Sequence, residues 1–406
     1  MPVKKSRNWR WGLLIGIGIA LSPIHNRWLT DKSTSNGTVE FFLPAFGAAL
    51  WILGTCLFAT WNWSKIKEIG LGNKKIWIPL AVIAVCIGIS GAFTGESIQD
   101  KVSPFLMGCF LFTIYLVTRV LGKDILFPLA IGAAVASLGV FISAIIHPGE
   151  VTGGLLFGGN YDIVVGYVLL GAACFIHKWR WILASLSIVA ILLTGSPEGL
   201  FAIGALVVCL VVRKDWNNKF VIVLLVIGAL AMLLSFKTGL FDYIKSIVNN
   251  DVVVAQSSEI DRGGRSPIGY RIWVAQKELG NLQVMGDGYS ITDFTHDPIH
   301  NVPLIIVQQL GIPGIIAALA WLWVTFYCLV KSRWKYVWVL IIALSLFDHF
   351  IFTQLTPIWF VVVGISTVEN GSDMVFREHA IPKVISNKEA ENRLKRMRDI
   401  MNGGMA

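Results

Sequence analysis

The chain is read first as blocks. Long apolar runs are separated by short charged breaks, with little of the period-2 alternation that marks strands. Between the breaks lie the segments Trp11–Ile24, Phe41–Trp61, Ile76–Phe93, Pro104–Leu121, Ile125–Ile146 and Tyr161–His177. The later part adds Trp181–Thr194, Glu198–Val212, Phe220–Phe236, Val302–Val330, Tyr336–Phe350 and Leu355–Thr367. Most approach the ~17–25 residues that cross a hydrocarbon core. The expectation is an all-α polytopic membrane protein with about 12 transmembrane helices. Residues 1–368 would form the membrane domain and 369–406 a basic tail.

Composition strengthens this picture. The chain is 55% hydrophobic and only 15% charged, against about 45–50% and about 25% in soluble domains. Its net charge of +9 would raise the question of nucleic acid in a soluble protein, but here the distribution of cations explains it. With the N-terminus inside, about 25 of the 34 Lys and Arg fall on the inner side and about 9 outside. Both termini are therefore expected in the cytoplasm, and no nucleic-acid partner is expected. The N-terminus resembles a signal peptide, with Lys4, Lys5, Arg7 and Arg10 ahead of apolar residues, but no small-x-small cleavage site follows. It is read as a retained first span. Six cysteines all sit within apolar runs, so neither a disulfide framework nor a zinc site is indicated.

One connection breaks the pattern of short loops. Residues 237–299, between the ninth and tenth spans, form an outside segment far longer than ordinary connections. Leu240, Phe241, Ile244, Ile247 and Val248 predict a helix on the outer membrane face. Ser266-Pro267 predicts a helix start and Gly280 its stop, with Ile268, Ile272, Ala275 and Leu279 as one stripe. A smaller glycine-rich segment ends at Asn160 and is a candidate to dip back into the membrane.

The chemistry gathers on this outer side. Arg262, Arg265 and Arg271 lie within ten positions, the first two just ahead of a predicted helix start. Guanidinium forks and free helix-start amides both bind phosphate. His300 stands at the entrance of an apolar segment, where an imidazole can serve as general base. Asn301 follows it, and after nine residues comes Gly311-Ile312-Pro313-Gly314, which predicts a break inside the span. Asp293, His296, Asp297 and His300, with Asp287 nearby, have spacings that could supply metal ligands. Pro298 interrupts any shared helix face, so no metal or other cofactor is expected. Asp162, Glu198, Asp348 and His349 also stand near the outer face, and structural and functional roles are equally open for each.

His300-Asn301, nine residues and Gly311-x-x-Gly314 resemble the signature of the O-antigen ligase and polymerase superfamily of bacterial envelope enzymes. Gly269-Tyr270-Arg271-Ile272-Trp273, Leu282 and Gly286-Asp287-Gly288 are similar to the pattern upstream of the family histidine. Leu192-Leu193-Thr194-Gly195-Ser196 resembles the span ending in Ser-Arg-Gly, although Pro197-Glu198-Gly199 follows here and the arginine is missing. The likeness covers most of residues 150 to 330.

The resemblance implies an inner-membrane glycosyltransferase with its active site facing the periplasm. Its donor would be an undecaprenyl-diphosphate-linked glycan and its acceptor lipid A–core, or a second lipid-linked glycan in a polymerase. It further implies metal-independent, inverting transfer, with His300 and Arg271 catalytic. Arg265, Arg262, Asn301, Tyr270, Glu198 and Asn160 would contact substrate, and Gly311 and Gly314 would shape the break. Ligase is favoured on chain length and the long outer loop, while polymerase and protein O-glycosyltransferase remain open. A secondary transporter is the alternative from another class. It would place its polar groups near the midplane between related halves, whereas these groups concentrate on one outside loop.

Overall fold

A computed structural model of the chain describes residues 9–24, 42–95, 97–146, 156, 161–177, 181–194, 196–213, 267–289 and 299–369. These are helical with no strand among them. The helices are α1 (Trp9–Leu21), α2 (Phe42–Trp61), α3 (Trp63–Ile69), α4 (Lys74–Thr94), α5 (Ile98–Leu121), α6 (Leu126–Ile146) and α7 (Tyr161–His177). They continue with α8 (Trp181–Thr194), α9 (Pro197–Arg213), α10 (Pro267–Gly280), α11 (Val302–Lys331), α12 (Lys335–Phe347) and α13 (Thr356–Glu369). Most edges fall within two residues of those read from the apolar runs.

Four described helices are long and apolar enough to cross a membrane: α4, α5, α6 and α11. A fifth qualifies if α2 and α3 count as one bent span. Shorter apolar helices include α1, α8, α12 and α13. The outward faces fit a hydrocarbon solvent. On α11, Ile312, Ile315, Ile316, Leu319, Trp323, Phe326 and Val330 are all exposed and follow a helical stripe. Such a stripe is unfavourable in water and at no disadvantage against lipid tails.

The core packs α4 against α5 and α11, α1 against α2, and α12 against α9. Small residues permit a close crossing of α1 and α2. A Cβ on Gly18 would lie 2.5 Å from the Trp51 nitrogen, and one on Gly47 would lie 2.6 Å from the Ser22 nitrogen. The backbones of α1 and α2 therefore touch, as helices do where packing rather than hydrophobicity drives association. Two buried indoles bond inward: Trp338 Nε1 donates to Ser366 Oγ at 3.0 Å and Trp359 Nε1 to Thr325 Oγ1 at 3.3 Å.

The two ends of the bundle differ. At one end the α3–α4 loop is pinned by Arg119, whose guanidinium donates to the Gly70 carbonyl, and by Tyr115, which donates to Leu71 O at 2.9 Å. Trp323 Nε1 donates to Lys75 O at 2.8 Å at this same end. The start of α11, the end of α12 and the first turn of α9 lie at the other end.

Three features depart from the sequence reading. The second span is followed by a separate helix, α3, bent from α2 by 82° at Asn62. Helix α12 stops at Phe347 and the following apolar residues lie in turns, so the span does not run to Phe350. Arg119, one of the roughly 25 cations that the charge asymmetry assigns to the inner side, is fully buried. The span Phe220–Phe236, the helix around residues 240–248, most of the glycine-rich segment before Asn160 and the tail lie outside the described residues.

Candidate functional site

The site is built around a helix that begins twice. Asn301 caps α11, its side-chain oxygen accepting from Leu304 N at 3.2 Å as capping asparagines do. Its Nδ2 donates to Leu346 O at 3.1 Å, which ties the start of α11 to the end of α12. Ten residues on, Gly311 has φ 64 and ψ −137, and the helix breaks. The break predicted from Gly311-x-x-Gly314 is there.

The segment 284–288 supplies the hydrogen bonds that the break removes. Pro313 has no N–H to give the carbonyl four residues back, that of Gln309. Gly288 N donates to that carbonyl instead, at 2.9 Å. Asp287 N serves the Gln308 carbonyl at 3.1 Å, and Ile312 N turns to Val284 O at 2.8 Å. The Ser90 hydroxyl of α4 lies 2.9 Å from Met285 O and 3.1 Å from Gln309 O and shares its proton between them. Broken helices at membrane depth persist only where protein re-satisfies the freed groups in this way. The approach is close enough to need two glycines. A Cβ on Gly311 would lie 2.3 Å from Val284 O, and one on Gly286 2.4 Å from Gln309 O.

His300 precedes the cap of this half-helix. The buried Gln308 side chain accepts from Ile299 N at 3.0 Å, so the broken helix also holds the residue before the histidine. Across from it, α12 ends at Asp348, whose N–H still donates to Leu344 O at 2.8 Å while its backbone turns extended. The His349 amide donates to Asp348 Oδ1 at 2.7 Å and fixes the carboxylate. Asp348 Oδ1 then lies 3.3 Å from His349 Nδ1 and 4.0 Å from His300 Nδ1. The two imidazoles meet edge to face at 5.2 Å. Asp348 and His349 are buried, while the His300 side chain is 24% exposed. One carboxylate and two imidazoles, one of them partly exposed, thus share a single spot.

Glu198 is buried in the first turn of its own helix. Ser196 donates to Glu198 Oε2 at 2.7 Å and accepts from Gly199 N at 3.2 Å, so it caps α9. Ser196 and Glu198 thus share a local structural role at the start of α9. Phe201 meets Phe347 edge to face at 4.7 Å, which sets the start of α9 beside the end of α12.

The remaining predicted residues separate into two groups. Helix α10 begins at Pro267 as predicted and carries Tyr270 and Arg271 near its start, but their side chains lie outside the described part. Arg262, Arg265, Asn160, Asp293, His296 and Asp297 also lie outside it. Gly314 allows a tight fold-back, since a Cβ there would lie 2.4 Å from Ile306 O. Asp348 and His349 were open between two roles in the sequence, and the structure brings them to His300. Gln308 and Ser90 were not foreseen. Both are buried polar residues in apolar runs, a signal that marks a partner without naming it.

No family model matches the chain, and a search of curated proteins likewise returns no match.

Proposed function

We propose that the chain is a multi-spanning inner-membrane glycosyltransferase of the O-antigen ligase type, crossing the membrane about twelve times. In this reading the His300 end faces the periplasm and both termini lie in the cytoplasm. It moves a glycan from undecaprenyl diphosphate to a sugar hydroxyl of lipid A–core. The observation that carries this reading is His300 beside Asp348 and His349, at the capped start of a broken helix that the 284–288 segment holds in place. A partly exposed imidazole against buried polar partners suits a general base working where water is thinned.

In the transfer step His300 takes the proton of the acceptor hydroxyl. The freed oxygen attacks the anomeric carbon from the face opposite the diphosphate, and the carbon–oxygen bond to the leaving group breaks with inversion. Undecaprenyl diphosphate departs with the electron pair. Its growing charge is met by Arg271 on α10, assisted by Arg265 or Arg262, because preorganised cations act most strongly where water is excluded. Asn301 orients the histidine or the acceptor, and Tyr270, Glu198 and Asn160 contact substrate. The chemistry needs no metal, since diphosphate is already a good leaving group.

The test uses purified protein in nanodiscs with undecaprenyl-diphosphate glycan and EDTA, with and without lipid A–core. Glycan on lipid A–core only when that acceptor is present is the expected result, and His300→Ala should abolish it while leaving the thermal melt intact. Elongated lipid-linked glycan in the absence of lipid A–core would make the protein a polymerase. Undiminished transfer by His300→Ala would remove the histidine from the mechanism.

A further inference from the structure

We propose that His300, Asp348 and His349 form a binding site for a divalent transition-metal ion of the zinc class. Each residue offers one ligand atom, and the three atoms lie within 4.8 Å of one another. Zinc bonds of about 2.0–2.2 Å in tetrahedral geometry put neighbouring ligand atoms about 3.3–3.5 Å apart. The Asp348 Oδ1–His349 Nδ1 separation of 3.3 Å already meets this. The His300 Nδ1–Asp348 Oδ1 separation of 4.0 Å needs to close by only about 0.6 Å, and His300 is the most exposed member of the three.

The donor set selects the ion. Two imidazoles and one carboxylate suit zinc, cobalt or iron and leave positions open, whereas magnesium and calcium require oxygen ligands. The support is in place as well. The His349 amide holds Asp348 Oδ1 at 2.7 Å, an outer-shell bond of the kind that orients metal ligands. The partial exposure of His300 gives an ion a way in.

The site rests on this geometry and not on the transfer reaction. Joined to that reaction, it has a defined consequence. A neutral imidazole has one basic lone pair. His300 can therefore coordinate the ion or accept the acceptor's proton, but cannot do both at once. The metal would act as an inhibitor of the metal-independent enzyme, and the trio would be the place where it acts.

The test is cobalt titration of chelator-stripped protein in nanodiscs, followed by visible ligand-field absorption. The expected result is one cobalt per chain, displaced by zinc and not by magnesium. His349→Asn should weaken binding at least about 100-fold, because losing even an outer-shell partner costs about 10–100-fold. His300→Ala, at the exposed rim, should do the same and carries the smaller risk of misfolding. Absence of the cobalt bands in the wild type, or bands unchanged in both variants, would overturn the site. Zinc should also inhibit glycan transfer in the wild type. Cobalt binding as expected without any transfer would leave the site standing and count against the proposed function; transfer without cobalt binding would do the reverse.

Discussion

Replacing Gly311 by alanine should release the 284–288 segment from α11. Two costs meet at this position. The φ of 64 with ψ −137 belongs to glycine, and holding alanine there costs about 1–3 kcal/mol. The added methyl would lie 2.3 Å from Val284 O and 2.4 Å from Gly286 N, and forcing such overlap costs about 1–3 kcal/mol more. Release instead gives up three backbone bonds, Asp287 to Gln308, Gly288 to Gln309 and Ile312 to Val284, at about 0.5–1.5 kcal/mol each. Part of that returns, because alanine gains about 1 kcal/mol over glycine once position 311 is free to take helical backbone. Release is therefore the easier route. Hydrogen exchange read by mass spectrometry should show the Asp287 and Gly288 amides exchanging at least about 30-fold faster, corresponding to about 2 kcal/mol of lost protection. Gly286→Ala should act alike, and the double variant should add little, since one release serves both. Gly204→Ala is the control: its Cβ would meet nothing within 4 Å, and its exchange should match the wild type. Wild-type protection of Asp287 and Gly288 in Gly311→Ala would refute the reasoning.

Three further outcomes follow from the same geometry. Gln308→Leu leaves the Ile299 amide without its acceptor at 3.0 Å, a loss of about 1–3 kcal/mol, so exchange at Ile299 should rise by about 5- to 150-fold while α13 is unchanged. Arg119→Met removes the charged donor to the Gly70 carbonyl; at about 1.5–3 kcal/mol for such a bond, the thermal melt should fall measurably, and Arg119→Lys should restore little of it because one ammonium does not reproduce the fork. The Ser97 hydroxyl and amide donate to the Asp100 carboxylate, and Asp100 N donates back to Ser97 Oγ at 3.1 Å, a capping box; Ser97→Ala removes the acceptor of that amide, so exchange at Asp100 should rise while the rest of α5 is unchanged.

How much of this was legible depends on the range over which each feature is determined. Helix α11 was readable because its signals are local: Asn301 can cap, Pro303 fits the first turn, and Gly311 and Pro313 cannot both continue a helix. The end of α12 was misplaced because hydropathy registers apolar residues regardless of backbone. Phe350, Ile351 and Phe352 are apolar yet sit in turns closed by Leu355 N to Phe350 O at 2.7 Å and Phe352 N to His349 O at 2.9 Å. That early stop matters, since an α12 continuing to Phe350 would carry Asp348 and His349 on helical positions 100° apart instead of turning both toward His300. The partnership of Gly286 with Gly311 was invisible for a different reason. Each glycine alone reads as a flexible position, and only the approach of the two backbones, with a Cβ of either falling inside 2.5 Å of the other segment, shows that both are required. The donor missing at Pro313 is the link between these levels. Sequence shows that the Gln309 carbonyl loses its helical partner, and physics requires another in a medium without water. Only the fold shows that Gly288 provides it. A buried acceptor left without a donor by a proline is therefore a usable sequence signal in membrane chains: it predicts that some distant backbone or hydroxyl must come to that carbonyl, even where it cannot say which.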